Sequence, residues 1–301
     1  MMNDYLLIAT AYEKSVRIYV ACSTNLVEEM RKIHGTWPTA TAALGRFLTA
    51  SVMMGMMYKE KERITLRIQS NGPIESMLAE ANAMGEVRGE IKNPNVYLKY
   101  EEGSKKGKLN VGAAVGQGFL YITKDLDMKD FFTSSSELQT GEIGDDFTYY
   151  FAKSEQTPSS VGVGVLVNPD LKVKASGGYI LQVLPNASEE TIKRLEEIIG
   201  HLPAISTLID HGQTPEEILS LLASGTEQIL KKQPIFYKCH CSKEGFAKSL
   251  STLDDQTLHS IIHEDGQAEI ECHFCKKKYL FTKEELQHIH EHKKNKKKSD
   301  S

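Results

Sequence analysis

The amino-acid sequence predicts an α+β protein with three parts and a tail. These are an N-terminal mixed α+β domain (residues 1–184), a helical linker segment (185–236), a small C-terminal domain (237–292) and a disordered basic tail (293–301). Three observations support this division. The first part carries strand-like alternation, the second carries helical periodicity, and four of the five cysteines lie in two close pairs near the C-terminus.

The N-terminal domain is predicted to contain more strand than helix. Ser23 or Thr24 is expected to cap a first helix, and a second, mostly apolar helix should run from about Thr39 to Tyr58. This second helix contains four of the ten methionines, which suit either a promiscuous binding surface or, as we favour, a buried core. Alternating apolar residues predict strands at Tyr5–Thr10, Val16–Val20, Ile64–Ile68, Val87–Ile91, Leu109–Val115, Phe119–Thr123, Val161–Val167 and Gly178–Leu184.

The linker segment is predicted to form amphipathic helices without a core of their own. Ser188 opens a helix that ends near Gly200, and Pro215 opens another that ends near Gly225. A third short helix is expected to carry Ile229 and Leu230 before Pro234. Because the segment has few aromatic residues, its apolar stripes must pack on another part of the protein. The stripes of the two longer helices consist of Ile192, Leu195, Ile198 and Ile199, and of Ile218, Leu219, Leu221 and Leu222.

Composition and charge narrow the possible functions. The 301 residues are 40% hydrophobic and 25% charged, as in ordinary globular proteins, and the net charge of −4 gives no general attraction to nucleic acid or acidic membranes. No apolar run is long enough to span a bilayer, and the first residues lack the basic region of a secretory signal, so a cytoplasmic location is expected. Since the sequence contains no metalloprotease, nucleophile-elbow or dinucleotide fingerprint, we expect no enzymatic activity.

The two cysteine pairs predict a metal site. In a reducing cytoplasm, paired cysteines indicate metal ligands or redox groups more than structural disulfides. Cys239-x-Cys241 and Cys272-x-x-Cys275 are separated by thirty residues. Four thiolates in two pairs are the ligand set of a structural zinc site, so we predict that these residues bind one Zn²⁺. The C-x-C spacing and the long gap are unusual for a zinc ribbon, and ordinary buried cysteines are the alternative.

Basic and histidine residues surround the cysteine pairs. Lys238, Lys243 and the run 276–278 are expected to offset the negative charge of a zinc–thiolate cluster, although a purely solvated role is the alternative. His240 and His273 could compete as ligands, but we expect them to point outward because four cysteines already close the coordination shell.

The three histidines near the C-terminus and the fifth cysteine have side chains that could also have a functional role. His288, His290 and His292 lie near the end of a predicted helix and are compatible with a second metal site, although a solvated face is the favoured interpretation. Cys22, the fifth cysteine, lies at a strand end and is predicted to be a small buried hydrophobic residue.

The size of the C-terminal domain links the metal site to folding. A domain of about 55 residues can build only a marginal core. Zinc binding contributes roughly 10–16 kcal/mol to the folding of such modules. Oxidation of the four thiols removes this contribution. We therefore expect a domain that folds when reduced and metal-bound and unfolds when oxidised.

Four segments carry a family resemblance. The second cysteine pair lies in Glu271-Cys272-His273-Phe274-Cys275, followed by Tyr279 and Phe281, similar to a pattern E-x-C-x-F-C-x-x-x-Y-x-F. Upstream, Pro38 with Ala42 to Arg46 is similar to a pattern P-x-x-x-A-A-L-G-R. Ser154 to Ser159 is similar to S-E-Q-x-P-S. Gly177 to Tyr179, with Gln182, Leu184 and Pro185, is similar to G-G-Y-x-x-Q-x-L-P. Through these segments the chain resembles the redox-regulated 33-kDa heat-shock chaperonin family (heat shock protein 33 family). Because the segments are spread along the chain, the resemblance covers nearly its whole length. His240 is one departure, since many members carry Arg there.

The resemblance implies a molecular chaperone of the holdase type. It implies a protein that is ATP-independent, inactive when reduced and zinc-bound, and active when oxidised. Oxidation would release zinc and form the disulfides Cys239–Cys241 and Cys272–Cys275, after which the zinc domain and the linker lose structure. The linker and the N-terminal domain would then bind unfolding client proteins, and the protein would form a homodimer. No nucleic acid or membrane partner is expected.

Two functions of other classes remain open. A zinc-ribbon protein that binds nucleic acid would fit the basic tail, and its affinity would fall steeply with salt. A thiol oxidoreductase would use the C-x-x-C pair, although the sequence around this pair lacks a thioredoxin-like βαβ pattern.

Overall fold

The computed structural model describes residues 3–59, 61–127 and 130–299, with side chains described up to Lys293. The chain divides into two compact units, Met1–Lys238 and Cys239–Ser301. We call the first unit the body and the second the cysteine unit. Within the described residues, no helix has both the length and the apolar character needed to cross a membrane.

The body contains strands and helices in a mixed order, and it includes the segment 185–236. In chain order its elements are β1 (Tyr5–Ala11), β2 (Val16–Cys22), α1 (Thr24–His34), α2 (Pro38–Gly55), β3 (Arg63–Ser70), β4 (Ser76–Asn82), β5 (Glu86–Ile91), α3 (Val111–Val115), β6 (Gly118–Asp125), β7 (Phe132–Glu137), α4 (Gly144–Lys153), β8 (Ser159–Val167), β9 (Val173–Val183), α5 (Glu189–His201), α6 (Ile205–Asp210), α7 (Pro215–Ala223), β10 (Gln228–Pro234) and β11 (Phe236–Tyr237).

Two sheets organise the body. The first has the order β10-β1-β2-β9-β8, and all of its neighbouring strands are antiparallel. The second has the order β11-β5-β4-β3-β6-β7, and its short strand β11 runs parallel to β5. Side chains alternate across the first sheet: Leu6 and Tyr19 belong to one buried cluster, whereas Leu7 and Ile18 belong to another. Each face of this sheet is therefore covered by a different set of elements.

The helix α2 forms the centre of the body. It packs against β8 and β9 of the first sheet and against β4 and β5 of the second. All of its residues are buried except Pro38 and Arg46, because a helix enclosed on all sides must be apolar around its whole circumference. Met53 and Met54 are fully buried in this core. The prediction that these methionines serve packing is confirmed.

The helices α5, α6 and α7 cover the other face of the first sheet. Their apolar residues join those of β1 and β2 in one buried cluster, which confirms that these stripes need a partner. α7 is the most deeply packed of them, while α5 buries only Leu195 completely. α7 also begins with a capping box, in which the Thr214 hydroxyl accepts from the Glu217 N–H and the Glu217 carboxylate accepts from the Thr214 N–H at 2.7 Å.

Two predicted elements differ in type. Leu109–Val115 was expected to be a strand, but Val111–Val115 form the helix α3 because the Asn110 side chain caps it by accepting from the Ala113 N–H at 3.0 Å. The expected third linker helix is instead the strand β10, which pairs with the edge of β1. The strands β4 and β7 and the helices α4 and α6 were not predicted.

The cysteine unit is built from short elements around a small core. They are α8 (Lys243–Thr252), α9 (Asp255–Ser260), one π-helical turn (Ile261–Asp265), the hairpin strands β12 (Gln267–Glu271) and β13 (Lys278–Thr282), and α10 (Lys283–Ser299). α10 includes residues 293–299, for which composition had suggested disorder. Lysine is a good helix former and its charge is favourable at a helix C-terminus. The last two residues of the expected tail, 300 and 301, lie outside the described residues.

Candidate metal centre

Local backbone structure positions each cysteine. Cys239 directly follows Lys238, whose N–H donates to the Val87 carbonyl of β5 at 2.9 Å. Cys241 immediately precedes Ser242, which caps the N-terminus of α8. The second pair lies in the turn between β12 and β13, so the hairpin holds both thiols at one end.

The hairpin turn folds tightly around the second pair. The Cys272 N–H donates to the Lys277 carbonyl at 2.9 Å, and the Lys276 N–H donates to the Cys272 carbonyl at 2.8 Å. Lys276 has a φ of 59°, in the left-handed region that residues other than glycine adopt at some cost. This turn directs the side chains of Cys272 and Cys275 toward the first pair.

The four sulfur atoms converge on one point. The Sγ atoms of Cys239, Cys241, Cys272 and Cys275 all lie within 4.8 Å of one another. Two of the separations are 3.7 Å, between Cys239 and Cys272, and 3.3 Å, between Cys241 and Cys275. With Zn–S bonds of about 2.3 Å, tetrahedral coordination separates the sulfur atoms by about 3.8 Å. The site therefore fits a tetrahedral metal ion such as Zn²⁺, and all four cysteines are free thiols without disulfides.

The acidities of the thiols show what a cation would change. Burial alone would raise the pKa of Cys241, but hydrogen bonding with the Tyr279 hydroxyl and the other thiols lowers it to about 7. Burial and the neighbouring sulfur atoms raise the pKa of Cys275 to about 12. One thiolate therefore forms readily, and the next is resisted by the charge of the first. A divalent cation at the centre would remove this repulsion and allow all four to ionise.

Tyr279 was not identified as a functional residue from the sequence, although it is part of the matched motif. Its hydroxyl donates to the Cys241 carbonyl at 3.0 Å and lies 3.3 Å from the Cys241 Sγ. Its ring packs against Phe246, with ring centroids 5.1 Å apart. Tyr279 thus joins the metal centre to the small core. Its position four residues after Cys275 is the feature of the sequence from which a role for Tyr279 could have been predicted.

The lysines around the pairs have carboxylate partners. Lys243 contacts Glu285 at 2.6 Å, Lys276 contacts Glu271 at 3.4 Å, and Lys278 contacts Glu269 at 2.8 Å. These ion pairs are at least two-fifths exposed and contribute little to stability. These three lysines are therefore shared with carboxylates and not dedicated to the sulfur atoms, and the offset of the cluster's charge stays a prediction.

The core beneath the centre is small. Six residues of the cysteine unit form its buried apolar cluster: Leu250, Leu258, Ile262, Tyr279, Phe281 and Leu286. Each burial of a large apolar side chain contributes roughly 1.5–3 kcal/mol. Their sum is of the same order as the 10–16 kcal/mol that a structural zinc ion supplies.

The other candidate residues lie apart from the metal centre. Within the described residues, the four cysteines are the single group of three or more possible ligand atoms, and neither His240 nor His273 belongs to it. The Nε2 atoms of His288 and His292 lie 3.1 Å apart on α10. Cys22 is buried between β2 and the linker helices, as predicted, and burial raises the pKa of its thiol.

Comparison with known proteins places this chain in a family. The family profile described as "Hsp33 protein" matches residues 4–282. The 33 kDa chaperonin of Acholeplasma laidlawii is 56% identical over 285 residues, covering 95% of this chain and 98% of that protein. The 33 kDa chaperonin of Bacillus subtilis is 50% identical over 285 residues, covering 94% and 97%.

A solved structure has the same fold. The crystal structure of the 33 kDa chaperonin (heat shock protein 33 homolog) of Thermotoga maritima superimposes with a TM-score of 0.89 at 34% identity, covering 98% of this chain and 100% of that one. The predicted fold class and the family resemblance of the motifs are both confirmed. The chain belongs to the Hsp33 family.

Proposed function

We propose that this protein is a redox-regulated, ATP-independent molecular chaperone of the holdase type and not an enzyme. In the reduced state Cys239, Cys241, Cys272 and Cys275 hold one Zn²⁺ and the protein is inactive. When the four cysteines are oxidised, it binds unfolding proteins and prevents their aggregation. The observation that carries the proposal is the convergence of four sulfur atoms in a unit whose own core is small. The chaperonin names of its relatives support the same conclusion.

The chemical step is oxidation of four thiolates to two disulfides. It removes four electrons, and two molecules of hydrogen peroxide accept them and, with four protons, become four molecules of water. Disulfide sulfur is a poor ligand for zinc compared with thiolate, so the metal leaves. The cysteine unit then loses a contribution that its few buried apolar residues cannot replace.

We propose the pairing Cys239–Cys241 and Cys272–Cys275. The clustered sulfur atoms do not favour one pairing in the folded unit, since all of them lie within 4.8 Å. Once the metal is lost and the unit unfolds, the number of residues between two cysteines determines which of them form a disulfide. Every cross pair is more than 30 residues apart, with Cys239–Cys272 at 33 and Cys241–Cys275 at 34, whereas the local pairs stay close together in an unfolded chain. Local disulfides restrain the chain little, so they would not refold the unit.

Client binding is assigned to the linker helices and to the sheet face beneath them. α5, with Leu195 as its one fully buried residue, should detach most easily. α7 buries Ile218, Leu219 and Leu222 against the sheet, and its release would expose more apolar surface. Detachment of either helix would create the kind of surface that unfolding proteins bind. We further propose that the oxidised protein forms a homodimer and acts in the cytoplasm.

The test is light scattering from a thermally aggregating client protein. The reduced, zinc-loaded protein and the peroxide-treated protein are compared at equal concentration, together with Cys239→Ser and Cys22→Ser variants. We expect suppression of scattering by the oxidised wild type and the oxidised Cys22→Ser variant, but not by the reduced wild type. Cys239→Ser should lose tight zinc binding, and one zinc per chain in this variant would contradict the four-cysteine assignment.

Other outcomes would favour other functions. Equal suppression by both forms would leave a holdase without redox control. No suppression by either form would overturn the proposal and favour a zinc-ribbon protein, which a salt-dependent nucleic-acid binding assay would then examine.

A further inference from the structure

A cavity of about 600 Å³ opens on the surface of the body. Residues from five segments line it: Pro38 and Arg46 of the helix α2, seven residues of the loop 97–109, Glu142 before α4, residues 165–169 and Leu171 at the β8–β9 turn, and Ala204, Ser206 and Thr207 at the start of α6. Its volume lies within the range of small-molecule sites in proteins. None of its lining residues belongs to the cysteine unit.

Basic side chains dominate the charges in this cavity. Arg46, Lys99, Lys105 and Lys108 line it, and Glu142 is the one carboxylate among the lining residues. The cavity thus has three positive charges in excess, although the whole chain has a net charge of −4. Such a local excess in an acidic protein attracts anions into a concave site, where the potential is focused.

Arg46 is the most informative of these residues. It is the one charged residue of α2, a helix that is otherwise buried almost throughout. Its Nη1 donates to the Glu142 carboxylate at 2.5 Å, and that carboxylate also accepts from the Tyr100 hydroxyl at 2.8 Å. The Arg46 Nε is buried and has no partner within the described residues. The guanidinium group therefore retains one unpaired donor, and the Arg46 side chain forms part of the cavity lining.

Glu142 orients this group and does not neutralise the site. Burial opposes its ionisation, but Arg46 and the Tyr100 hydroxyl outweigh burial and hold the pKa of Glu142 below its ordinary value. The carboxylate is therefore ionised at neutral pH and fixed by two partners. This arrangement holds the Arg46 side chain in place, so its position is set before any ligand arrives.

The lysines on the loop 97–109 suit phosphate oxygens. Lys99 lies over the Tyr97 ring at 5.0 Å and Lys105 over the Tyr100 ring at 5.4 Å, so each of these rings already has a cation against one face. Cation–π contacts of exposed lysines are weak, and the ammonium groups keep their three donors for an anion. An uncharged aromatic ligand would have to displace them.

We propose that this cavity binds a small multivalent anion of the polyphosphate class, either free or as the phosphate chain of a nucleotide. Arg46 provides a guanidinium that Glu142 holds in position, and Lys99, Lys105 and Lys108 provide exposed ammonium groups from the loop. Charge-assisted hydrogen bonds of this kind are the strong ones in phosphate recognition. The proposal does not depend on the redox function.

Binding at this position would also affect the linker. Ser206 and Thr207 of α6 form part of the cavity wall, while Arg46 and Lys105 come from elements outside the linker. A ligand that contacts both walls stabilises the docked position of α6 by mass action. The bound anion therefore opposes detachment of the linker helices from the sheet.

The experiment is calorimetric titration of the reduced, zinc-loaded full-length protein with tripolyphosphate and, separately, with ATP and with sulfate, at physiological ionic strength. The test variant is Lys105→Ala/Lys108→Ala, in which both residues are exposed, so the fold should be retained. The matched control is Lys92→Ala/Lys231→Ala, which removes the same charge from exposed positions that do not line the cavity.

We expect one tripolyphosphate per chain and an affinity that falls by about tenfold in the test variant but stays within about twofold of wild type in the control. Hydrogen exchange of residues 204–210 should slow when tripolyphosphate is bound. Equal affinities for ATP and tripolyphosphate would assign recognition to the phosphates, and tighter binding of ATP would assign the site to nucleotides. No saturable binding at millimolar tripolyphosphate, or equal weakening in both double variants, would overturn the proposal.

Discussion

The body and the cysteine unit are stabilised by different means. The body encloses the helix α2 between two sheets, and its main buried cluster includes residues from both sheets and from the helices α1 to α4. Among the described residues, the cysteine unit has six in its buried cluster, and its four clustered sulfur atoms fit a metal ion. A large apolar core cannot be removed by a small molecule, whereas a bound metal ion can. Under the proposed function, one chain would combine a constant scaffold with a unit whose folding responds to oxidation.

Removal of the metal should give the largest difference in stability between the body and the cysteine unit. A strong chelator added to the reduced protein should unfold the cysteine unit, because a structural zinc ion contributes roughly 10–16 kcal/mol. Hydrogen exchange should become fast in β12 and β13 and remain slow in β1, β2 and α2. The control is the same chelator saturated with zinc. If β12 and β13 remained protected from exchange after complete metal removal, the metal would not be what stabilises the cysteine unit.

Acid should act in the same direction as a chelator. Metal and protons compete for the four sulfur atoms, because thiolates and not thiols are the ligands of zinc. Stability due to the metal is therefore present at neutral pH and is lost as the pH falls. We expect zinc release between about pH 6 and pH 4, measured with a chromogenic chelator that is active in this range. Release that is independent of pH would contradict thiolate ligation.

In the body, the largest effect should come from the packing of α7. Leu219 is fully buried, and its replacement by Ala should lower the free energy of unfolding of the body by about 2–5 kcal/mol. It should also give the reduced protein measurable activity in the scattering assay. Leu221→Ala is the matched control on the same helix, since Leu221 is 45% exposed. Equal effects of the two substitutions would show that burial of the apolar side chains of α7 is not what holds this helix against the sheet.

The smallest expected effect is in the hairpin turn of the cysteine unit. Lys276→Gly relieves the positive φ and should stabilise the zinc-bound unit by less than about 1 kcal/mol, because the flexible glycine also favours the unfolded chain. Competition with a chelator should show zinc affinity up to a few-fold higher. Lys276→Ala removes the same charge but keeps the strained backbone, so it should not raise the affinity. A gain in both variants would assign the effect to charge.

The convergence of the four cysteines could be predicted from the sequence because ligand chemistry depends on residue type and spacing, whereas the bound Zn²⁺ stays a prediction. The ion pairs of Lys276 and Lys278 could not be predicted, since their partners Glu271 and Glu269 approach them only through the register of the hairpin. Tyr279 was part of a quoted motif, yet its contact with Cys241 depends on the same register.

The strand β10 illustrates why some elements of the body were missed. None of its side chains is buried, so it carries no alternation between apolar and polar residues. It is held by backbone pairing with β1. By contrast, β1 and β2 bury side chains on both faces, and their apolar sequences were correctly predicted as strands.

The position of β10 has a topological consequence. The segment between Val183 and Gln228 leaves the first sheet at the end of β9 and returns to the same sheet as β10. If the helices between them melt while both strands stay paired, the freed segment is a loop closed at both ends and not a dangling chain. The entropy that a closed loop gains is limited, and it changes only slowly with loop length. The ends of the melted segment would also remain beside the sheet from which they came, so refolding after reduction would begin from a state of high local concentration.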